Sequence, residues 1–322
     1  MPEPVEQPPS TQSNRESVVT VISSNIERDG GPDENDQPPP RWYAIHELLA
    51  EHQPDVLLRQ ETTHSLAKGQ RRKHEAERLL DMRGFLGGQG CGNNPTGLFV
   101  RPCVFDVHQE FGPAPLWRTP PTHIVARLRD VPTVPIVMMS WHLAFNSPRG
   151  RERETDDILA AADKINQGMA FLGGGDANEY PHPAGESVAP IDWSSQAITD
   201  QLHRMHRTNP GPGGTRVSCT YADETLLKAG LHDPARYAAH TLGQADALRA
   251  TAGQNTAHQG GERRIDRIYT DPWLINAVTE VSVIDTTGLS DHHAVKVVFS
   301  RTGMAEALRR NVARLDPYDL AP

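Results

Sequence analysis

Hydrophobic positions along this chain follow two rhythms. Short β-branched runs read as buried strands: residues 17–24 (SVVTVISS), ending at Asn25, and residues 55–59 (DVLLR), running into Gln60 and Glu61. Further strands are predicted at 97–100, 123–129, 134–141, 170–172, 264–270 (RIDRIYT), 278–284 and 295–300. The strand at 134–141 runs directly into His142, and the one at 170–172 leads into GGGDANEY. Helical spacing appears at 42–52, with Pro54 as a stop, and at 71–83, where Leu79, Leu80 and Met82 are available for packing. A long helix is predicted at 149–167, with Ile158, Leu159, Ala162 and Ile165 on one face, and a closing helix at 305–315. Residues 180–262 are loop-rich, with short helices near 194–206 and 222–230.

Strands with helices between some and hairpin-like neighbours elsewhere predict an α+β fold. The expected architecture is a four-layer α/β/β/α sandwich of two mostly antiparallel β-sheets flanked by helices. A doubly wound parallel sheet competes, but SSNIERDG after the first strand is not the G-x-G-x-x-G fingerprint. Residues 1–16, rich in Pro, Gln, Glu and Ser, read as a disordered tail. One folded domain is expected over 17–302, followed by a helix and tail over 303–322.

Composition narrows the function classes. The chain has 322 residues, 37% hydrophobic and 23% charged, with a net charge of -9. That acidity argues against tight, non-specific duplex binding, which usually requires a basic stripe. It leaves room for a local phosphate site, because a bound divalent cation brings its own charge. No apolar run approaches the ~20 residues of a membrane helix. The N-terminus has neither a basic start nor an apolar core, so no signal peptide is read there. Cys91, Cys103 and Cys219 form no close metal-type pair and suit free thiols in a reducing cytoplasm, with a Cys91–Cys103 bridge left open. A cytoplasmic protein with no membrane association and no obligate protein partner is expected.

Six polar clusters sit where a strand meets a loop: Asn25, Gln60-Glu61, Trp141-His142, Asp176 with Asn178, Asp266 within RIDRIY, and Asp291-His292 within GLSDHHAV. Each has a bland reading. An Asn ending a strand is usually a turn residue, GGGDAN is compatible with an ordinary turn, and Asp266 has Arg263 and Arg264 as neighbours to pair with. Acids and amides at several strand ends can nevertheless converge on one rim. Glu61, Asp176, Asp266 and Asp291 supply carboxylates, and Asn25 and Asn178 supply amides. Such oxygen ligands suit Mg²⁺ or Mn²⁺. With histidines as proton carriers, the set has what hydrolysis of a phosphate ester requires.

In order and rough spacing, Ser24-Asn25, Gln60-Glu61, His142, GDAN (Asp176, Asn178), IDRI (Asp266) and SDH (Asp291, His292) resemble the endonuclease/exonuclease/phosphatase superfamily of deoxyribonuclease I-like, metal-dependent phosphoesterases. The resemblance runs from residue 17 to 300 and implies the same two-sheet sandwich. It implies that Glu61 is the principal metal ligand, with Asn25 nearby and Asp291 binding the metal or its waters. Asp176 and Asn178 would orient the attacking water and contact the scissile phosphate. His292, oriented by Asp266, would sit on the phosphate, and His142 on the leaving-group side. The general base is assigned to Asp176 and the His292–Asp266 dyad as a group. Glu27 stands where many members carry Asp and is a candidate for a second metal site. His293 is expected to be structural, because successive side chains of a strand point opposite ways.

Two rivals use the same letters. A manganese phosphoesterase superfamily named for a DHH motif would need an early Asp and a DxD cluster, and no DxD appears here. A zinc site at His203, His206 and Cys219 lacks a fourth ligand at the right spacing. Among substrates, a nuclease or related phosphodiesterase is supported by His142 and by GQRRK, PRGRER and ERR, of which Arg263 and Arg264 abut Asp266 and make Arg264 the substrate-binding candidate. A phosphatase or phosphodiesterase for a small metabolite or lipid headgroup fits the charge of -9, with Trp193 and Tyr221 shaping a pocket. A non-catalytic phosphate-ester-binding module is the reading from another class.

Overall fold

The computed structural model describes residues 17–88, 94–112, 117–187 and 189–313. The expected tail at 1–16 and Cys91 lie outside the described residues. In chain order the larger elements are β1 (Val18–Asn25), α1 (Pro40–Glu51), β2 (Val56–Gln60), α2 (Arg71–Leu80), β3 (Arg83–Leu86), β4 (Gly97–Val100), β5 (Phe105–Glu110), β6 (Thr122–Leu128) and β7 (Pro135–His142). They continue with α3 (Pro148–Ala162), β8 (Ala170–Asp176), α4 (Gln201–Arg207), β9 (Thr208–Pro210), β10 (Arg216–Ser218), α5 (Tyr221–Lys228), α6 (Pro234–Thr241), β11 (Asp266–Thr270), β12 (Val278–Ile284), β13 (Ala294–Ser300) and α7 (Arg301–Ala313).

Two mixed sheets face each other. One has the order β12-β13-β1-β2-β4-β3 and the other β11-β8-β7-β6-β5; β9 and β10 form a separate ribbon. Each large sheet contains one parallel pair, β1 with β2 and β7 with β8, and its other pairs are antiparallel.

Side-chain alternation explains the layers. Val19 and Val21 of β1, Val56 and Leu58 of β2, Ile136 and Met138 of β7, and Ala170 and Leu172 of β8 share the core between the sheets. The intervening residues face the helices. Ile22 and Leu57 pack with Trp42, Ile45 and Leu49 of α1 and with Leu80 of α2, whereas Val137, Met139 and Trp141 pack with Ile158 of α3. Helix α7 places Met304 and Leu308 in the inter-sheet cluster, continuous with Phe299 of β13. No helix among the described residues is long and apolar enough to cross a membrane.

The inward rows matter for function because they turn polar at one end. Val19-Val21 continues to Ser23 and Asn25, Val56-Leu58 to Gln60, Ile136-Met138 to Ser140 and His142, and Ala170-Leu172 to Gly174 and Asp176. The apolar layer therefore ends in a polar rim built from both sheets.

Several elements differ from expectation. The helix expected through residue 83 stops at Leu80 because Asp81 adopts a left-handed conformation (φ 53°), and Arg83–Leu86 turns back as β3. Strand β5 (FDVHQE) sits at a sheet edge with mostly exposed side chains, so it carries little hydrophobic signal. The helix expected near 194–206 covers only Gln201–Arg207, started by Asp200, whose carboxylate caps the His203 amide. Helix α6 and the β9–β10 ribbon were hidden in the loop-rich stretch.

The loop after β1 is held by a buried carboxylate. Asp29 is fully buried. Its oxygens accept from Trp42 Nε1 (3.1 Å), Arg59 Nη2 (3.2 Å), the His64 amide (3.3 Å) and Ser65 Oγ (2.8 Å), and Arg72 Nη1 lies 3.6 Å away. Arg59 precedes Glu61, and His64 and Ser65 follow it, so one carboxylate grips both flanks of the Glu61 turn. Both Arg28 and Asp29 are left-handed (φ 49° and 53°), as is Glu61 (φ 58°). Such conformations persist when the surroundings over-determine them.

Two predictions follow from this packing. Asp29→Ala leaves the buried Arg59 guanidinium without its counter-charge, while Arg72 keeps Asp33 at 2.7 Å, and is expected to destabilise the protein by about 3–5 kcal/mol in chemical denaturation; a loss under 1 kcal/mol would contradict the role given to Asp29. His123 on β6 stacks on Phe111 with ring centroids 4.1 Å apart, and burial pushes its imidazole down to about 4. The native state therefore holds it neutral while the unfolded chain protonates near 6.5. Stability should be unaffected by this group above that value. It should decline by about 1.4 kcal/mol per pH unit as pH falls from 6.5 towards 4. Melting curves of His123→Phe should show a shallower acid slope than wild type; identical slopes would contradict the assignment.

Candidate active site

The polar rim is joined across the two sheets by side-chain hydrogen bonds. Asn25 Nδ2, at the end of β1, donates to Asp176 Oδ2 at 3.2 Å. Gln60 Nε2, at the end of β2, donates to Ser140 Oγ at 3.2 Å, and Ser140 Oγ donates to the Arg59 carbonyl. Register places the remaining members. His142 is the partner of Asp176 in the parallel β7–β8 pair, and Asp266 is its partner in the antiparallel β8–β11 pair.

Gly175 makes this spacing feasible. A Cβ there would lie 1.9 Å from the Trp141 carbonyl oxygen, so only glycine lets β8 approach β7 this closely beside Asp176.

Asp176 is the centre of the group and is buried. Its Oδ1 accepts from the Asn178 amide at 2.7 Å, while Oδ2 lies 3.5 Å from His142 Nε2 and 3.9 Å from His292 Nε2. His292 Nδ1 lies 2.8 Å from Asp266 Oδ2. One ligand atom each from Asp176, Asp266 and His292 falls within 4.8 Å of the other two.

Burial alone would push the His292 imidazole down. The charge and hydrogen bond of Asp266, with the charges of Asp176 and Asp291, outweigh it and raise the group to about 10. Burial likewise works against the Asp176 anion, but His292, His142 and Arg207 hold its carboxyl below the usual range. At neutral pH the centre is thus an imidazolium between two acids, with Asp176 ionised.

Among the described residues the close three-residue group of Asp176, Asp266 and His292 includes neither the Glu61 nor the Asp291 carboxylate. Glu61 lies one residue beyond Gln60, the register partner of Asn25, and its Oε2 accepts from the Arg28 amide at 2.8 Å. Asp291 is exposed and borders a 320 Å³ cleft with Glu27, Arg41, Gln254 and Asn255. The neighbouring Ser290 Oγ donates to the Asn25 carbonyl, tying the 288–292 turn to β1. Asn178 is buried and left-handed (φ 51°); its Nδ2 donates to the Leu143 carbonyl and its Oδ1 accepts from Arg207 Nη2, leaving one Nδ2 hydrogen unengaged.

One expectation is corrected: the Arg264 guanidinium is 2% exposed and donates to Glu186 and Asp233, so it braces the wall behind the rim and offers no open substrate contact. Glu27 Oε2 accepts from Arg41 Nη1 at 3.0 Å, Arg41 Nη2 bonds the Glu27 carbonyl, and Glu27 lines the same cleft as Asp291. His293 is buried, with Nδ1 accepting from the Thr286 amide at 3.2 Å, apart from the Asp176 group.

Arg207 went unrecognised in the sequence. Buried at the end of α4, it bonds the Phe145 carbonyl (2.9 Å) and the Asn178 carbonyl (2.5 Å), bringing a positive charge beside Asp176. Nothing in QLHRMHR distinguishes it from Arg204. Gln60 has no functional signature of its own in the sequence, and only its position on the inward row of β2 marks it as a rim residue.

Comparison with known proteins agrees with this architecture. The structure is similar to that of truncated Caenorhabditis elegans TDP2 (TM-score 0.55, 17% identity, covering 88% of this chain and 97% of that one). It is similar to an AP endonuclease from Archaeoglobus fulgidus (TM-score 0.57, 14% identity, 87% and 99% covered). It is also similar to D. rerio TDP2 in complex with a single-strand DNA product (TM-score 0.54, 18% identity, 88% and 99% covered). None of the curated proteins matches the chain in sequence. The model of the Endonuclease/Exonuclease/phosphatase family, whose members are hydrolytic phosphoesterases, matches residues 22–292. Matched by the family model over residues 22–292 of 322, this chain belongs to the Endonuclease/Exonuclease/phosphatase family.

Proposed function

We propose that this protein is an Mg²⁺- or Mn²⁺-dependent phosphodiesterase, acting as a nuclease. The observation that carries the reading is the Asp266–His292–Asp176 array, with its charged imidazole beside an ionised carboxylate. Glu61, Asn25 and Asp291 would hold the cation. The fit is supported by Asn25 Oδ1, buried with no hydrogen-bond partner among the described residues, and by an oxygen-rich donor set suited to a hard cation. When bound, such a cation supplies positive charge to the phosphoryl oxygens.

The protein's own groups divide the proton work. Asp176, ionised and fixed by the Asn178 amide and Asn25 Nδ2, is placed to accept a proton from the attacking water. His292 is already protonated, so it serves as a donor to a phosphoryl oxygen and Asp266 keeps its ring oriented. On this reading Asp176 takes the role of base and the His292–Asp266 dyad that of electrostatic donor. His142, 3.5 Å from the same Asp176 oxygen, is placed to return a proton to the leaving oxygen. The phosphorus–oxygen bond to water forms, that to the leaving group breaks, and the proton from water ends on the departing alcohol.

Nucleic acid as substrate is favoured by His142 at the rim and by similarity to an AP endonuclease and to TDP2 bound to a single-strand DNA product. A second reading, a phosphodiesterase for a small metabolite or lipid headgroup, is favoured by the net charge of -9. A panel of nucleic acids, dinucleotides, inositol phosphates and p-nitrophenyl esters, assayed with Mg²⁺ and Mn²⁺, separates them.

Asp176→Asn and His292→Ala should each lower turnover by ~10²–10⁴-fold with an unchanged circular dichroism spectrum. EDTA should abolish turnover and added Mg²⁺ or Mn²⁺ restore it. Wild-type turnover in either variant, or hydrolysis that persists in EDTA, would overturn this reading.

A further inference from the structure

One surface beside the rim has a composition that the chemistry above does not use. Phe145, three residues beyond His142, is 47% exposed. Leu202 and Met205 of α4 are 72% and 58% exposed, and Val217 of β10 is 43% exposed. Large apolar side chains presented to water near a reactive centre call for an occupant.

These elements are fastened to the site. Arg207, the last residue of α4, bonds the Phe145 carbonyl and both the carbonyl and Oδ1 of Asn178. Strand β9 begins at the next residue and pairs with β10.

The same surface is cationic within an acidic protein. Residues 201–218 contain Arg204, Arg207 and Arg216 and no Asp or Glu, against -9 for the whole chain. Arg118 lies over the Phe145 ring, 4.7 Å from its centroid. Arg216 Nη2 is 2.9 Å from Met205 Sδ. Among the described residues no ion pair engages Arg118, Arg204 or Arg216. The adjacent Asp200 is already engaged, by the His203 amide and Gln259 Nε2.

We propose that Phe145, Leu202, Met205 and Val217, with Arg118, Arg204 and Arg216 among them, form a platform for an unpaired strand of nucleic acid leading into the reactive rim. The inference rests on the phosphodiesterase reading and specifies its substrate. Apolar side chains interleaved with guanidiniums match the two faces of such a strand, which offers open base planes to stack and phosphates to pair. A duplex hides its base planes and offers the surface only phosphates. The overall acidity of the chain also disfavours duplex and leaves the local patch as the attractive region.

The test is fluorescence anisotropy in EDTA with a labelled single-stranded oligonucleotide and its duplex. It compares wild type with Phe145→Ala, with the double change Leu202→Ser and Met205→Ser, and with Arg204→Glu and Arg216→Glu together. The altered side chains are exposed or half-buried, and circular dichroism checks that each variant folds. Wild type should prefer the single strand, and each variant should bind it about tenfold more weakly. Strand binding unchanged in both apolar variants, or a wild-type preference for duplex, overturns the platform. Sedimentation with phosphatidylserine vesicles that depends on the same residues, without strand binding, overturns it in favour of a lipid surface. Hydrolysis of bis(p-nitrophenyl) phosphate by wild type with Mn²⁺ is measured in parallel. Its presence alongside failed strand binding discards the platform alone, whereas inertness toward every diester discards the phosphodiesterase.

Discussion

The polar rim depends on a seam of hydrogen bonds between two sheets that are otherwise held together by hydrocarbon. Asn25 reaches Asp176 and Gln60 reaches Ser140, each bond linking one sheet to the other. Along the inward rows of β1, β2, β7 and β8 the side chains change from Val, Ile, Leu, Met or Ala to Ser, Gln, Asn, His or Asp on approaching this end. Burying such groups is costly unless they are paired. Most are paired across the seam, and Ser23 Oγ, Asn25 Oδ1, Gln60 Oε1 and His142 Nδ1 are left without a partner among the described residues.

Around the seam the fold invests heavily in buried guanidiniums. Arg59 and Arg72 surround Asp29, Arg151 pairs with Glu179, and Arg267, Arg236 and Arg264 share Asp223, Asp233 and Glu186. Buried ion pairs add little stability relative to a hydrophobic replacement, because desolvation opposes the attraction. Their value here is geometric. Each grips a loop that departs from a rim strand: the Asp29 cluster fixes the turn bearing Glu61, Arg151 bonds the Ala144 carbonyl beyond His142, and Arg267 bonds the Glu179 carbonyl beyond Asn178. Loops built from polar residues cannot be fixed by hydrophobic packing, and arginine can bond several carbonyls at once.

Much of this was legible in the sequence. The β-branched runs around Val21, Leu57, Val137 and Val297 located both sheets, and polar residues at their ends located the rim, because strand alternation couples the core row to the residue where it terminates. What stayed hidden had weaker local signatures. Strand β5 is an edge strand with exposed polar residues, and β3 is four residues long with a glycine inside. Arg207 and Asp29 act through tertiary partners 13 to 62 residues away, which no local pattern encodes. Arg264 misled because proximity to Asp266 in sequence implied proximity in space. It lies two residues away, yet its charge is turned to Glu186 and Asp233.

The seam has a mechanical consequence. Because Asn25 and Asp176 stand on opposite sheets, their separation measures the thickness of the apolar layer beneath them. That layer is a close-packed solid of low compressibility, whose dimensions respond to hydrostatic pressure and to voids rather than to salt. The polar rim thus doubles as a strain gauge for the whole sandwich. A missing methyl group deep between the sheets would be felt at the Asn25–Asp176 bond before any residue touching it had changed.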